Sequence, residues 1–208
     1  MQKYRRGCRS VRRCGRARRR LSRILRQERP DAAFSLHPKV ADSPDIRLAT
    51  GADLPRIFAI YNREVEGGTS TFDIDTREPG RDDGWLTDRD PWHPVTVAVA
   101  DGEVVGWAAI GPWSPRGAYR RTGEVSVYVD PAVRGTGIGG ALLTDLVARA
   151  RSIPEISVLL ARIAQPNPAS VAVHEGAGFR SFGTQRRCGE KLGRILDVEL
   201  FDLHLDEE

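Results

Sequence analysis

The stretch VDPAVRGTGIGGALL, residues 129–143, joins a β-rich run to an apolar run through four glycines within six positions. Glycine is unfavourable in ordered structure unless the backbone needs its conformational freedom or a ligand must come close. An apolar residue then recurs at every fourth position from Ile138 to Ala150, which predicts a helix of about four turns. Such a turn leaves unpaired N–H groups at the helix N-terminus, where the helix dipole also favours an anion. The stretch therefore indicates a strand, a phosphate-binding turn and a helix in succession.

Two other glycine motifs do not fit this stretch. A Walker A motif is excluded because no Lys-Ser/Thr pair follows the last glycine. The glycines at 135, 137, 139 and 140 give the pattern G-x-G-x-G-G, whereas a dinucleotide-binding turn needs G-x-G-x-x-G early in a βαβ unit. A tight strand-to-helix turn that binds no ligand remains as an alternative.

Upstream of the glycines, hydrophobic patterning predicts a strand, a helix and a hairpin. The run IRLAT (46–50) is typical of a strand, and Asp53 follows Thr50 by three residues in a variant of the capping box. Residues 95–111 contain two β-rich runs that meet at Asp-Gly (101–102), the dipeptide favoured in type I′ turns. The first helix should bury one stripe of apolar side chains, namely Leu54, Ile57, Phe58, Tyr61 and Val65.

Strands and one short helix follow in the second half. EVSVYV (124–129) alternates as a strand with its valines on one face and Glu124, Ser126 and Tyr128 on the other, and ISVLLARI (156–163) is typical of a strand buried on both faces. A helix is predicted over 168–177, and the runs near 180–188 and 194–205 should pair as antiparallel strands. The order β-α-(α)-β-β-β-α-β-α-β-β predicts an α/β domain with a mixed sheet and helices on its faces.

Charge is distributed unevenly along the chain. Residues 1–44 carry fourteen Lys or Arg and three acidic residues, a net charge of +11. Because the whole chain has a net charge of +4, residues 45–208 have a net charge of −7. Prolines and short polar residues in HPKVADSPD (37–45) mark a boundary, and we expect a disordered basic arm before one folded domain. The arm is also consistent with upstream sequence translated from a misassigned start codon, a transit peptide or a nucleic-acid-binding segment. We do not expect nucleic acid as a partner, because such basic runs are weak signals.

Composition also bears on compartment and cofactors. No run approaches the roughly 18 apolar residues of a membrane span, so no membrane association is expected. Cys8, Cys14 and Cys188 lack the spacing of zinc ligands, and no metal is expected. A reducing cytoplasmic setting fits this cysteine usage best, with Cys188 as a small strand residue rather than a nucleophile.

The turn itself resembles a known signature. The pattern R-x-x-G-x-G, from Arg134 to Gly139, follows a strand that ends in Val-Asp-Pro and is similar to the acetyl-CoA signature of the GNAT superfamily. Four further segments resemble the phosphinothricin N-acetyltransferase group in order and spacing, and the resemblance covers about residues 46–205. They are AIYNREVEGGTSTFD (59–73), RGAYRRTGEVSVYVDP (116–131), NPASVAVHEGAGF (167–179) and CGEKLGRILDVELFDLHL (188–205).

The resemblance implies both a fold and a reaction. The implied fold has a mostly antiparallel central sheet flanked by helices, with a splayed central strand. The implied reaction moves an acetyl group from acetyl-CoA to the amino group of a small amino acid or analogue, such as phosphinothricin or methionine sulfoximine, in a homodimer. An N-acetyltransferase for another amine, such as a polyamine or a protein N-terminus, is an alternative, and so is a non-catalytic acyl-CoA-binding regulator.

Direct transfer requires a base for the ammonium, a donor for the oxyanion and an acid for the departing thiolate. The resemblance implies Glu124 as the general base, acting directly or through water. It also implies a backbone N–H near Val129 as the oxyanion donor and His174, on the helix capped by Asn167, as the acid.

The resemblance also implies two sets of binding residues. Expected acetyl-CoA contacts are Val127, Tyr128, Val129, Arg134, Gly135, Thr136, Gly137, Ile138, Gly139, Asn167 and Ser170. Expected acceptor contacts are Tyr61, Asn62, Thr71, Phe72, Arg116 and Tyr119, where an arginine would clamp an acceptor carboxylate or phosphinate. The sequence departs from the group's pattern at Gly123, Glu190 and Ile195, and Pro79, Gly80 and Gly84 predict a shortened second helix.

Overall fold

The structure, a computed structural model, describes residues 44–206 of the chain. The expected basic arm over residues 1–44 therefore lies outside the described residues except for its last position. The first element among the described residues begins at Asp45.

Seven strands and four helices make up the domain. The strands are β1 (Asp45–Leu48), β2 (Val95–Ala100), β3 (Glu103–Pro112), β4 (Thr122–Val129), β5 (Val158–Ala164), β6 (Arg180–Lys191) and β7 (Arg194–His204). The helices are α1 (Leu54–Gly67), α2 (Gly84–Thr87), α3 (Ile138–Arg151) and α4 (Pro168–Gly176). Helix α2 has four residues, as the prolines and glycines around it predict.

The strands form one sheet in the order β1-β2-β3-β4-β5-β7-β6. Strands β4 and β5 pair in parallel, and every other neighbouring pair is antiparallel. The β2–β3 turn has positive φ at both central residues, 51° at Asp101 and 80° at Gly102, as a type I′ turn requires. The predicted α/β class, with a mixed and mostly antiparallel sheet flanked by helices, is confirmed.

Each face of the sheet carries its own core. One core lies on the α3 side and includes Leu142, Leu146 and Phe201, all fully buried. The other lies on the α1 side and includes Ile57 and Trp107. Strand β4 divides its side chains between them by alternation, because its valines pack on the α3 side and Tyr128 packs on the α1 side.

Strand β5 corrects one prediction from the sequence. Leu159, Ala161 and Ile163 are buried as expected, but the opposite face is only partly covered and carries the exposed Arg162. The strand is therefore buried on one face rather than two. The physical reason is that the neighbouring strand β4 turns away and leaves this face beside a cleft.

The predicted capping box is present at the 3₁₀ turn Gly51–Asp53, which leads into α1. The Thr50 backbone N–H donates to Asp53 Oδ2 at 2.7 Å, and Arg47 donates to both carboxylate oxygens of Asp53 at 2.8 Å. The hydrogen bonds from Arg47, with those from Thr50, lower the pKa of Asp53 from 3.8 to about 2 against the effect of burial. The carboxylate therefore joins β1 to the start of α1.

Asp53→Asn should lower the free energy of unfolding by about 1 kcal/mol at neutral pH. Because the folded pKa lies below the unfolded one, the carboxylate stabilises the fold above about pH 4 and loses this effect as pH falls towards 2. Urea denaturation at both ends of this range measures the difference. Glu103→Gln, at an exposed carboxylate, is the control, and an equal loss in both variants would contradict the assignment.

Candidate active site

The central strands of the sheet separate at their carboxyl ends. Pairing of β4 with β5 is confined to residues 122–124 opposite residues 158–160. The β3 ladder takes the backbone groups of the even-numbered β4 residues and ends where the Asp130 N–H donates to the Val105 carbonyl at 2.9 Å. The N–H groups of Val127 and Val129 consequently point towards β5, where no strand pairs with them in residues 44–206. The splayed strand implied by the resemblance is present.

A cleft of about 950 Å³ opens where the strands separate. Most of the residues implied as site residues line it, including both proposed catalytic residues. They are Tyr61, Thr71, Phe72, Glu124, Val127, Tyr128, Val129, Arg134, Gly135, Gly137, Ile138, Gly139, Asn167, Ser170 and His174. The structure thus brings the acetyl-CoA set and part of the acceptor set together.

Four expected contacts lie outside the cleft lining. Asn62 instead bonds the backbone of Arg77, and the Thr136 hydroxyl turns back to donate to the Val133 carbonyl at 2.7 Å. Arg116 and Tyr119 lie on an exposed 3₁₀ turn before β4, away from the cleft. The contacts expected for these four residues stay predictions.

The glycine-rich turn ends at the amino end of α3 and faces the cleft. Gly135 and Gly137 have φ values of 80° and 92°, in the left-handed region that favours glycine. The first bond of the helix runs from the Ala141 N–H to the Gly137 carbonyl at 3.0 Å. The N–H groups of residues 138–140 therefore have no acceptor within the described part of the chain. They form a cluster of donors suited to a phosphate.

Arg134 is held at this turn by groups from two other elements. Its Nη2 donates to Glu64 Oε1 at 2.6 Å, and its Nε donates to the Val129 carbonyl at 3.1 Å. Burial opposes ionisation of Glu64, but the bonds from Arg134 and Ser70 prevail and lower its pKa. The absence of a side chain at Gly68 leaves room for the Glu64 carboxylate. Glu64 thus fixes one side of the guanidinium and leaves its other donors free for an anion.

A buried lysine joins the hairpin of β6 and β7 to the loop after α1. Lys191 Nζ donates to the Glu64 carbonyl at 2.9 Å and to the Thr71 carbonyl at 2.8 Å. Burial lowers the pKa of Lys191, with Glu64 and Asp73 partly opposing that shift. Lys191 was not predicted as a site residue, because it falls between the two closing strands expected near 180–188 and 194–205 and becomes the last residue of β6.

Glu124 lies where β4 and β5 begin to separate, and Arg162 reaches across to it. The guanidinium donates from Nε to Oε1 at 2.7 Å and from Nη2 to Oε2 at 2.6 Å, a bidentate pair. The hydrogen bonds that Arg162 donates to Glu124 raise the pKa of Arg162, whose guanidinium also stacks 5.1 Å from the Trp113 ring centre. The lone charge in the otherwise apolar β5 run was the sequence signal for Arg162. This ion pair holds the carboxylate in one orientation inside the cleft.

His174 is buried on α4 and has a defined hydrogen-bonding state. Its Nδ1 lies 2.8 Å from the Ser170 carbonyl, so Nδ1 carries a proton. Burial lowers the pKa of His174, although the bond to Ser170 opposes that shift. The lowered pKa favours the neutral ring, and because the one proton of the neutral ring is on Nδ1, Nε2 carries none. The ring also contacts Phe179 and Phe201. The geometry therefore supports packing of α4 better than the acid role implied for this residue.

An aromatic wall lines the end of the cleft nearest α1. The Tyr128 ring centre lies 4.8 Å from Trp107 and 5.0 Å from Tyr61. Burial, with the bond to Asp73, raises the pKa of Tyr61 to about 12. Tyr61 remains a hydrogen-bond donor at neutral pH, and its hydroxyl donates to Asp73 Oδ2 at 2.5 Å.

Residues 44–206 contain neither a metal-binding cluster nor a membrane-spanning helix. No group of three or more His, Cys, Asp or Glu side chains within that range has a geometry for a metal ion. No helix in it combines the length and apolar character needed to cross a membrane.

The fold and the cleft combine a helix start with unpaired N–H donors and a carboxylate in the gap between two strands. The chain matches the model of the acetyltransferase (GNAT) family over residues 54–179. The chain therefore belongs to the GNAT family, which confirms the resemblance seen in the sequence.

Named relatives share most of their length with this chain. It is 39% identical over 166 residues to the L-methionine sulfoximine/L-methionine sulfone acetyltransferase of Pseudomonas aeruginosa, covering 79% of this chain and 96% of the relative. It is 33% identical over 189 residues to the phosphinothricin N-acetyltransferase of Alcaligenes faecalis, covering 83% and 94%. A phosphinothricin acetyltransferase from Sinorhizobium meliloti, solved in complex with acetyl-CoA, is 32% identical with a TM-score of 0.73, covering 78% and 89%.

Proposed function

We propose that the protein transfers the acetyl group of acetyl-CoA to the α-amino group of a small amino acid or analogue. The observation that carries the proposal is the meeting of the free amides in the first turn of α3 and the Glu124 carboxylate in one cleft. The named relatives act on methionine sulfoximine, methionine sulfone or phosphinothricin, which supports this acceptor class.

The cleft fits acetyl-CoA. The free N–H groups of residues 138–140 and the remaining donors of Arg134 would hold the diphosphate. The unpaired amides of Val127 and Val129 would contact the pantetheine arm, with Asn167 and Ser170 beside them. When bound, acetyl-CoA supplies an acetyl group already activated as a thioester.

Glu124 is placed to accept the proton of the acceptor ammonium, directly or through water. The bidentate contact with Arg162 occupies one lone pair on each carboxylate oxygen and leaves others free. Its side chain is 20% exposed, so the carboxylate is reached from the cleft. The Val129 N–H faces the same gap and is the proposed donor to the oxyanion.

The activity is tested by following thiol release from acetyl-CoA with a panel of acceptors. The panel contains methionine sulfoximine, methionine sulfone and phosphinothricin. A polyamine and an N-terminal peptide are included as alternative acceptors. We expect release with the first three and an N-acetylated product by mass spectrometry. Release only with the polyamine or peptide would overturn the acceptor class, and binding of acetyl-CoA without release to any acceptor would support a non-catalytic regulator.

His174→Asn should retain kcat within about threefold, with an unchanged pH profile, because the asparagine amide can replace the Nδ1–H bond to Ser170. The departing thiolate would then take its proton from solvent. Steady-state rates across the pH range measure this. A large loss of kcat that also removes one ionisation from the profile would restore His174 as the acid.

The remaining expectations concern assembly and location. We propose a homodimer formed through the β6–β7 hairpin, because Phe182, Leu192 and Ile195 are large apolar side chains exposed there. Sedimentation equilibrium of the full chain measures the mass, and a monomer at micromolar concentration would contradict the proposal.

The cysteine usage supports a cytoplasmic location.

A further inference from the structure

Arg77 lies at the aromatic end of the cleft, in the loop between α1 and α2, and its backbone is fixed in place. Asn62 on α1 donates to the Arg77 carbonyl at 2.8 Å and accepts from the Arg77 N–H at 2.9 Å. A side chain on this backbone is therefore presented from a defined position even though it belongs to a loop.

The guanidinium of Arg77 is stacked but not saturated. Its Cζ lies 4.8 Å from the Tyr61 ring centre and 5.2 Å from that of Trp85, and its side chain is 26% exposed. Asp73 is its one ion-pair partner among the described residues, at 3.5 Å, and the same Asp73 oxygen already accepts the shorter bond from Tyr61. The guanidinium donates no hydrogen bond within residues 44–206, so its donors remain available.

A second cation makes this end of the cleft attractive to an anion. Arg89 also stacks on Trp85, and each of its three guanidinium nitrogens already donates to a carbonyl, those of His93, Trp85 and Ile110. It forms no ion pair with a described residue. Burial, followed by the charge of Arg77, lowers the pKa of Arg89 to about 10, so it stays charged at neutral pH. Two arginines and one half-exposed aspartate leave excess positive charge beside the aromatic wall.

We propose that Arg77 is the specificity-determining residue that binds the carboxylate of the amino-acid acceptor. This inference rests on the proposed function and replaces Arg116, the arginine that the sequence analysis placed in this role. A planar carboxylate matches the free edge of a stacked guanidinium, and the acceptor amine is then held at a fixed distance from that edge.

The test compares an acceptor with its carboxamide, which lacks the negative charge but keeps the amine. Arg77→Gln should raise KM for methionine sulfoximine by about 10–100-fold, the range expected for a lost charge-assisted bond, and leave KM for acetyl-CoA unchanged. It should leave KM for methionine sulfoximine carboxamide nearly as in the parent. Arg77→Lys keeps the charge without the planar fork, so its KM for methionine sulfoximine should lie between that of the parent and that of Arg77→Gln.

Arg81→Gln is the matched control, since Arg81 belongs to the same loop, is exposed and lies outside the cleft lining. Circular dichroism of each variant checks folding. A variant Arg77→Gln that still prefers the acid over the carboxamide as strongly as the parent would overturn the proposal. So would an Arg116→Gln variant that carries the effect instead.

Calorimetry separates this inference from the proposed reaction. Methionine sulfoximine is titrated into the parent and Arg77→Gln with coenzyme A present, so that no transfer takes place. Tighter binding of the acid than of the carboxamide, lost in Arg77→Gln, would support the carboxylate site even if the parent acetylates no acceptor. Equal binding to both proteins would overturn it whatever the activity.

Discussion

Glu124→Gln should lower kcat by about 10²–10⁴-fold while the affinity for acetyl-CoA stays near that of the parent. The amide cannot accept the ammonium proton, yet it has nearly the size of the carboxylate and remains at the point where β4 and β5 separate. Steady-state rates with methionine sulfoximine measure kcat, and calorimetry with acetyl-CoA measures affinity.

The Glu124 variant also leaves Arg162 without its carboxylate, so a second variant is needed to separate the two effects. Arg162→Gln removes the guanidinium that orients the carboxylate but retains the base, and we expect a loss of kcat of about tenfold or less. Glu199→Gln, at a carboxylate bonded to Ser181 outside the cleft, controls for a change of net charge. Equal losses of kcat in Glu124→Gln and Arg162→Gln would mean that the ion pair matters only for structure.

Local patterns predicted the elements of this fold well. The stripe along α1, the Asp-Gly turn and the glycines before α3 each depend on residues a few positions apart, so periodicity and turn chemistry suffice to locate them. The separation of β4 from β5 was different. It was inferred from the resemblance, because nothing in the alternation of residues 124–129 distinguishes a paired strand edge from an open one.

The partners within the site could not be predicted from one sequence. Arg134 and Glu64 are 70 positions apart, Arg162 and Glu124 are 38 apart, and Lys191 and Glu64 are 127 apart. Each pair is created by the topology of the sheet, which brings distant segments to the cleft. The sequence identified Arg134 and Glu124 through motifs, whereas their partners carried only a weak signal, a charge inside an apolar run or at the end of a buried helix face.

The acceptor residues show the same limit more strongly. Tyr61, Thr71 and Phe72 line the cleft as the resemblance implied, whereas Arg116 and Tyr119 lie outside it. Residues on loops depend on hydrogen bonds that propensities do not encode, such as those by which Asn62 fixes the loop after α1. The residues expected to contact acetyl-CoA lie on a strand and a helix start, and most of them line the cleft.

Gly137→Ala should weaken acetyl-CoA binding by about 10–100-fold, with a smaller effect on the stability of the fold. Gly137 has a φ of 92°, and a Cβ there would meet no atom within 4 Å, so the cost comes from backbone conformation rather than from a clash. Relaxing that strain rotates the amides that follow, which are the proposed ligands of the diphosphate. Calorimetry with coenzyme A and with 3′-dephospho-coenzyme A should show equal losses, because both contain the diphosphate.

Gly102→Ala is a matched control for the strain itself. Gly102 has a φ of 80° and equally open surroundings, but it lies in the β2–β3 turn outside the cleft lining. Both variants should lose about 1 kcal/mol of unfolding free energy in urea, since each forces alanine into the left-handed region. Only Gly137→Ala should lose affinity for coenzyme A. If its affinity equals that of Gly102→Ala, the amides in the first turn of α3 do not bind the diphosphate, and the glycine-rich turn would have a purely structural role.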